Sequence, residues 1–397
     1  MTGYLGDLSK SQDSSLNLFK EMLSKETVTD ERTLLRYLRA RSFDVQGAHR
    51  QYLATLEWRK ENNIDQILDK SRPLDKEMRN IMSSGFHSHD KQGRPCYIEY
   101  TGRTDVLALI KLPIDQVIKR HIWNCERQIA RMNETSKKTG FPVETMVHIH
   151  DMTGASLTLR KALTLFKKLA KLDQEFYPER MGKIFIVNTS WMFPVLWKIA
   201  RVFLDPKTRA KCVVLKTGEI NKLLEYFDAD QLPEDFGGIC KCEDGCLPPI
   251  PKHMRYVAEA PSLTEQTIGP RKVFEKSLEC INDGDSIAWY FTSSSKDVRF
   301  GIKFKPRPHS GWKDRMNDIA EIWVVESEYV YENDCVTGFY TPPCPGICIL
   351  VWDNLDSKWL SRTLKYQVIV SEAEADSEEE NNSNGINHKR TAVGTYV

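Results

Sequence analysis

The sequence predicts a multidomain fold: a helical N-terminal bundle, an α/β domain built on a mainly parallel sheet, and an all-β antiparallel sandwich. Three observations carry that expectation. Apolar residues recur every three to four positions up to about Lys70, short apolar strands alternate with helical patterns from about Gly85 to Cys240, and after Ala260 the apolar period changes to two. With 397 residues, 41% of them apolar and 28% charged, the chain is long enough for two or more cores.

In chain order, Leu16, Phe19 and Leu23 repeat at helical spacing, Asp30 can cap a helix carrying Leu34, Leu35 and Leu38, and a third helix carries Tyr52, Leu53, Leu56 and Trp58. Arg36, Arg39 and Arg41 fall off the leucine face and read as a solvated or salt-bridged surface. In the α/β part, Asp90-Lys-Gln-Gly93 is a hairpin-like turn into a strand from Cys96 to Tyr100; later strands are Met146 to His150, Ile184 to Val187 and Cys212 to Leu215. Helical patterns such as Leu159, Leu163 and Phe166 separate them, and long helical crossovers imply parallel pairing with right-handed connections.

Cys240 to Ala260 is rich in Pro, Gly and charge and reads as a linker. Beyond it, Ile287, Trp289 and Phe291, then Val298, Phe300, Ile302 and Phe304, then Leu364, Tyr366, Val368 and Val370 alternate with polar or small neighbours. Turn clusters such as Asn282-Asp-Gly-Asp lie between, as in an antiparallel sandwich. The tail from Ser371 is acidic, then polar, and is expected to be disordered. Within it Ser377 precedes three glutamates, a pattern that suits phosphorylation.

The 56 basic and 55 acidic residues nearly cancel, which argues against a nucleic-acid partner, since phosphate binding needs a clear cationic excess. No apolar h-region follows Met1 and no run approaches the roughly 20 apolar residues of a membrane span, so a cytoplasmic, unsecreted protein is expected. In that compartment the ten cysteines read as reduced thiols, and the Asn381-Asn-Ser sequon as silent.

Catalytic signals are weak. Cys125 and Arg131 have the spacing of a phosphatase phosphate loop, but the intervening residues are helical and lack the glycines that let amides converge on an anion. His148 and His150 alternate on a strand before Asp151, a pattern more usual for packing than for metal ligation. Cys240, Cys242 and Cys246, with Cys344 and Cys348, could approach as a zinc site; they lack paired C-x-x-C knuckles and are read as free thiols. There is no P-loop, no nucleophile elbow and no dinucleotide fingerprint. No enzyme activity, metal or cofactor is therefore expected.

The most informative stretch runs from Phe176 to Leu215. Between a charged Tyr-Pro-Glu-Arg start and Asp205-Pro-Lys-Thr lies a segment, Trp191 to Leu204, with almost no polar face except Lys198 and Arg201. A helix apolar nearly all round is either core or the cover of an apolar ligand. Its aromatics beside cations also suit a membrane interface, and Arg160, Lys161, Lys167, Lys168 and Lys171 add a basic stretch.

Residues 34 to 59, Gly93-Arg-Pro-Cys-Tyr97, Phe176-Tyr-Pro-Glu-Arg-Met-Gly-Lys183, Phe203-Leu-Asp-Pro206 and Leu232-Pro-Glu-Asp-Phe-Gly-Gly238 together resemble the CRAL-TRIO lipid-binding family of the yeast phosphatidylinositol-transfer type. The C-terminal strands resemble a GOLD domain, and the whole arrangement looks like that of an animal group of the family. The resemblance implies a helical region over 1–74, a lipid-binding domain over 75–250, a GOLD-like sandwich over 251–371 and a tail over 372–397. It further implies an inositol-phosphate headgroup site on Glu179, Lys211, Arg41 and Thr208, and a gate at about Trp191 to Leu204, with Phe193, Leu196, Trp197, Ala200 and Phe203 facing ligand or membrane. Tyr97 matches an aromatic of the family's choline-phosphate site, but Met146 and His148 replace its small hydroxyl residues. The implied function is enclosure and exchange of a phospholipid, with a second lipid or isoprenoid, at a transiently touched membrane surface, and a protein partner for the GOLD-like part. The alternative is a lipid-dependent scaffold or regulator.

Overall fold

The computed structural model describes residues 2–23, 30–189, 193–243, 245–251, 263–293, 297–307, 321–331, 335–371 and 393–396. The chain divides into two compact units, one of Met1–Ala155, Leu159–Ser190 and Ala200–Val257, the other of Ser156–Thr158, Trp191–Ile199 and Ala258–Val397.

The first unit opens with three helices. Helix α1 (Lys10–Met22) begins at a capping box in which Ser9 and Gln12 satisfy each other's amides, α2 (Glu31–Ala40) begins at Asp30, whose carboxylate accepts from the amides of Arg32 and Thr33, and α3 (Val45–Glu61) begins at Asp44. Leu16, Phe19, Leu34, Leu35, Leu38, Ala48 and Tyr52 form their common core. On α3 the structure departs from the leucine pattern: Leu53 and Leu56 are exposed, and the buried face is Ala48, Gln51, Tyr52 and Thr55. The reason is that α3 spends its inward face on Gln51, which donates to the carbonyls of Gln174 and Glu175, while Trp58 stacks on Phe176 at 4.1 Å. Arg36 and Arg39 are likewise buried rather than solvated, at 6% and 7% exposure.

After the short α4 (Asp75–Arg79) comes a hairpin of β1 (Ser84–His89) and β2 (Pro95–Glu99). Its turn is closed by Asp90, whose carboxylate accepts from the Gln92 and Arg94 amides and pairs with the Arg94 guanidinium at 2.5 Å. A one-turn α5 (Val106–Leu109) and the long α6 (Ile114–Thr139) lead to β3 (Met146–Asp151); α7 (Leu163–Phe176) leads to β4 (Met181–Thr189); α8 (Phe193–Ala200) and α9 (Pro206–Ala210) lead to β5 (Cys212–Lys216). The sheet runs β1-β2-β3-β4-β5, antiparallel at the first pair and parallel thereafter, as helical crossovers require.

One face of this sheet is fully covered. Cys96, Ile98, Val147, Ile149, Phe185, Val187 and Leu215 pack against Leu223, Phe227, Leu232 and Phe236. Gly238 makes that cover possible, since a Cβ there would fall 2.0 Å from the Leu232 carbonyl oxygen.

The second unit contains two antiparallel sheets. One is β10 (Ile322–Val330), β9 (Val298–Pro306), β12 (Gly346–Asp353) and β7 (Val273–Cys280) in that order; the other is β14 (Val393–Tyr396), β11 (Cys335–Tyr340), β8 (Ser286–Ser293), β13 (Arg362–Ser371) and β6 (Thr264–Ile268). The alternating positions read in the sequence meet in one core, where Ile287, Trp289, Phe291, Phe300, Ile302, Phe304 and Leu364 pack with Leu350 and Trp352. Residues 372–392 of the tail, with Ser377 and the sequon, lie outside the described residues.

Candidate functional site

Glu179 sits in the turn between α7 and β4 with φ +57°, a left-handed conformation that costs a non-glycine residue about 1 kcal/mol or more. The flanking residues hold it there. Arg36 donates to the Pro178 carbonyl at 3.4 Å, the Tyr177 hydroxyl donates to Glu126 at 2.8 Å, and Arg180 reaches the Glu144 carbonyl. From that turn the Glu179 carboxylate pairs with Lys211 at 3.2 Å, and both side chains are partly buried.

Lys211 ends α9, a helix fixed at both ends. Asp205 caps its first turn, accepting from the Lys207 and Thr208 amides, and also takes the Thr208 hydroxyl at 2.5 Å. Lys207 donates to the Arg39 carbonyl at the C-terminus of α2 and to the Ser42 hydroxyl, so a cation meets the negative end of a helix. Arg41, exposed, donates to Gln51 at 2.8 Å, and Gln51 holds the main chain of Gln174 and Glu175 just before the Glu179 turn. The four residues expected at a headgroup site are thus tied to one neighbourhood: Glu179 and Lys211 pair directly, the Lys211 amide donates to the Thr208 carbonyl at 3.0 Å, and Arg41 is linked through Gln51.

Sequence reasoning missed the buried cations beside this turn. Arg36 and Arg180 carry positive charge into the fold, and burial, with Arg36 as a like-charged neighbour, holds the Arg180 guanidinium down to about 9. Arg39 pairs with Glu144 at 3.1 Å and lies over the Tyr4 ring. For Arg36 and Arg39 the one signal was their place on a capped helix beside Leu34, Leu35 and Leu38; Arg180 lies in the turn before β4.

The second sheet face is uneven. Tyr97 and Met146 are covered by α6 in a cluster with Met132, so these two are packed side chains here. His148, next along the face, has its ring 5.5 Å from Tyr97 and lies deep in the fold, yet part of its surface is uncovered. Burial, with His150 beside it, holds its imidazole down to about 3. His150 shares Thr101 with Glu99, and towards β5 the face carries Ile184, Ile186, Cys212 and Val214, of which Val214 is 40% exposed. Cys125 lies within α6, not in a phosphate loop, and burial pushes its thiol up to about 11.

Of the gate segment, Trp191 and Met192 lie outside the described residues. Phe193 to Ala200 form α8, followed by a 3₁₀ turn over Arg201–Phe203. Phe193 and Leu196 are buried, Trp197, Ala200 and Phe203 half-buried, and the Phe193 and Trp197 rings stack at 5.9 Å. At its C-terminal end the segment is anchored, because Gln174 donates to the Phe203 carbonyl at 2.8 Å and Phe166 packs on the Phe203 ring.

Comparison with known proteins bears on the family of the chain. A family model described as "CRAL/TRIO, N-terminal domain" matches residues 7–54 and one described as "CRAL/TRIO domain" matches residues 82–238. The SEC14 cytosolic factor of Kluyveromyces lactis is 30% identical over 294 residues, covering 70% of this chain and 93% of that protein. The chain belongs to the CRAL/TRIO family. The Sec14 cytosolic factor of Schizosaccharomyces pombe is 31% identical, covering 62% of this CRAL/TRIO chain and 88% of its relative. A solved structure, "Crystal structure of Sfh5", is similar at 18% identity and a TM-score of 0.48 over 60% of this chain and 90% of its own. CRAL/TRIO proteins of this Sec14-like kind bind and transfer lipids. No helix among the described residues is long and apolar enough to cross a membrane.

Proposed function

We propose that this chain is a carrier that encloses phosphatidylinositol, alternating with a second lipid or isoprenoid, and exchanges it at membranes through the segment from Trp191 to Leu204. The observation that carries this reading is the Glu179–Lys211 pair, two partly buried charges with a turn strained to present one and a capped helix to present the other. A carboxylate accepts from inositol hydroxyls, and a Lys with a nearby Arg serves the phosphate. Thr208 would supply a hydroxyl oxygen, and Arg41, linked to this turn through Gln51, a guanidinium with five N–H donors. Without ligand the two charges satisfy each other; with it, each gains a new partner.

Exchange follows from energetics. Burying an acyl chain contributes roughly 0.8 kcal/mol per methylene relative to water, but a bilayer offers the same gain. A closed carrier therefore outcompetes water by far and the membrane hardly at all. The gate opens where its aromatics meet lipid, and the basic stretch Arg160 to Lys171 attracts the anionic surface. The carrier works in the cytoplasm, peripheral to membranes, without covalent chemistry, and its second unit, GOLD-like in strand pattern, adds protein or membrane contacts.

Lys211→Ala and Glu179→Ala test the headgroup assignment. Each removes a charge-assisted hydrogen bond worth about 1.5–3 kcal/mol, so phosphatidylinositol binding to the folded variants should weaken about 10- to 100-fold. Unchanged binding refutes the site, and tight binding without vesicle-to-vesicle transfer by the wild-type chain refutes the carrier in favour of a lipid-dependent regulator.

A further inference from the structure

The chain that leaves the covered sheet face carries Cys240, Cys242 and Cys246 back along the edge strand β1, where His87 is buried at 6% exposure. One ligand atom from each of these four residues lies within 4.8 Å of all the others. The sequence raised three of these cysteines, with Cys344 and Cys348, as a zinc set and read them as free thiols for want of paired knuckles; the histidine, from a strand far earlier in the chain, is the member it did not name.

Several independent features prepare this cluster. Cys240 is fixed by its amide, which donates to the Leu232 carbonyl at 3.0 Å, and Gly245, at φ +85°, turns the chain so that its amide reaches the Cys242 carbonyl at 2.9 Å. The turn returns Cys246 beneath Cys242, whose amide points at the Cys246 sulfur at 3.5 Å, as amides do toward a thiolate ligand. The Sγ atoms of Cys240 and Cys242 are 3.6 Å apart. That is far beyond the about 2.0 Å of a disulfide and close to the about 3.8 Å edge of a tetrahedron with metal–sulfur bonds of about 2.3 Å.

The histidine decides the matter. Its ring lies beside the main chain of Cys246, and its Nε2 is buried with no hydrogen-bond partner among the described residues. An orphaned imidazole nitrogen costs stability unless something takes its lone pair, and a buried imidazole nitrogen left without a partner beside three thiols is placed to ligate a metal. The cluster of His121, Cys125 and Asp173 gives the contrast. There His121 Nε2 already contacts Asp173 at 2.7 Å and Cys125 at 3.5 Å, so its polar atoms satisfy one another. Cys344 is no part of the four-residue group, and Cys348 packs against Cys280 in the second unit.

We propose that His87, Cys240, Cys242 and Cys246 form a structural zinc site. Three thiolates and one imidazole favour zinc among divalent ions, and four protein ligands leave no position open for catalysis. Its role is a clamp. The residues after Cys246 lie along β1, with the Ser83 hydroxyl donating to the Pro248 carbonyl at 2.8 Å and Pro248 so close to Gly85 that a Cβ there would fall 2.9 Å from its ring. Zinc would lock this segment, and Leu247 and Ile250 with it, onto the covered core.

The full-length chain, purified under reducing conditions without a metal-affinity tag and reconstituted with zinc chloride, should hold about one zinc per chain. Cobalt substitution should give thiolate-to-cobalt charge transfer in the near ultraviolet and intense visible bands of a tetrahedral ion. Cys242→Ser, at an exposed position, should fold yet lose zinc affinity by more than about 100-fold, beyond the cost of an outer-shell partner. A strong chelator should lower the melting temperature of the wild type and leave that variant unmoved. Absence of stoichiometric zinc and of the cobalt spectrum in the reduced wild-type chain overturns the proposal, as does full metal retention in a Cys240→Ser, Cys246→Ser double variant.

Discussion

His148 shows how one side chain can report on the whole sheet face. Burial, then His150 beside it, holds its imidazole down to about 3, whereas the unfolded chain takes up a proton near the ordinary value of about 6.5. Between those values the unfolded state binds more protons, so stability falls as pH drops below about 6.5, by up to about 1.4 kcal/mol per pH unit for this group. His121 moves the other way: burial opposes its charge, but Asp173 at 2.7 Å and Cys125 raise it well above the usual range. Its contribution is complete below about 6.5 and disappears only as pH rises through the raised value, so it adds no slope on the acid side. Urea denaturation from pH 6.5 to 5 should therefore give a shallower acid loss for His148→Gln than for the wild type. Equal slopes would mean that His148 is solvated and that the face is not shielded from water.

At the scale of elements, periodicity was the legible part and polarity the illegible one. Strands β2 to β5, β8 and β9 lie where alternation and apolar runs put them, because a half-buried strand must alternate and a doubly covered one must be apolar. Helix α2 was legible as a helix but not as the holder of Arg36 and Arg39, since nothing local says that Pro178 and Glu144 wait to receive them. The same limit explains Leu53 and Leu56, left outside by a helix that turns Gln51 inward. His87 beside three cysteines is the extreme case, a juxtaposition made only by tertiary structure. For α8 the pattern left core and gate equally open. Replacing Phe193 and Trp197 by Ser and Gln should slow lipid exchange between vesicles about tenfold or more, while the melting temperature falls little, if the rings serve the membrane step. Burying such rings in a core is worth about 3–5 kcal/mol each on truncation, so a comparable loss in stability would return α8 to the core.

Across the whole molecule, the chemistry assigned to the headgroup lies in the first unit and the largest aromatic core in the second. Glu179, Lys211, Thr208 and Arg41 are held by α2, α3, α7 and α9, while Trp352 packs among Phe274, Phe291, Phe300 and Tyr366 with ring centroids 5.2–5.6 Å apart. The domain order was readable because the apolar period changes from 3.6 to two across a Pro-rich stretch; the assignment of Trp191–Ile199 to the second unit was not, since compactness is no property of a local pattern. Separate cores with separate tasks predict separable damage. Trp352→Ala leaves a large cavity and should destabilise the sandwich by about 3–5 kcal/mol, visible as a lowered calorimetric transition. Phosphatidylinositol affinity, measured below that transition, should stay within about twofold of wild type, because no headgroup contact is touched and a twofold change is only about 0.4 kcal/mol. If affinity instead falls tenfold while the sandwich is still folded, the headgroup site depends on more than the first unit, and the carrier must be treated as one coupled machine.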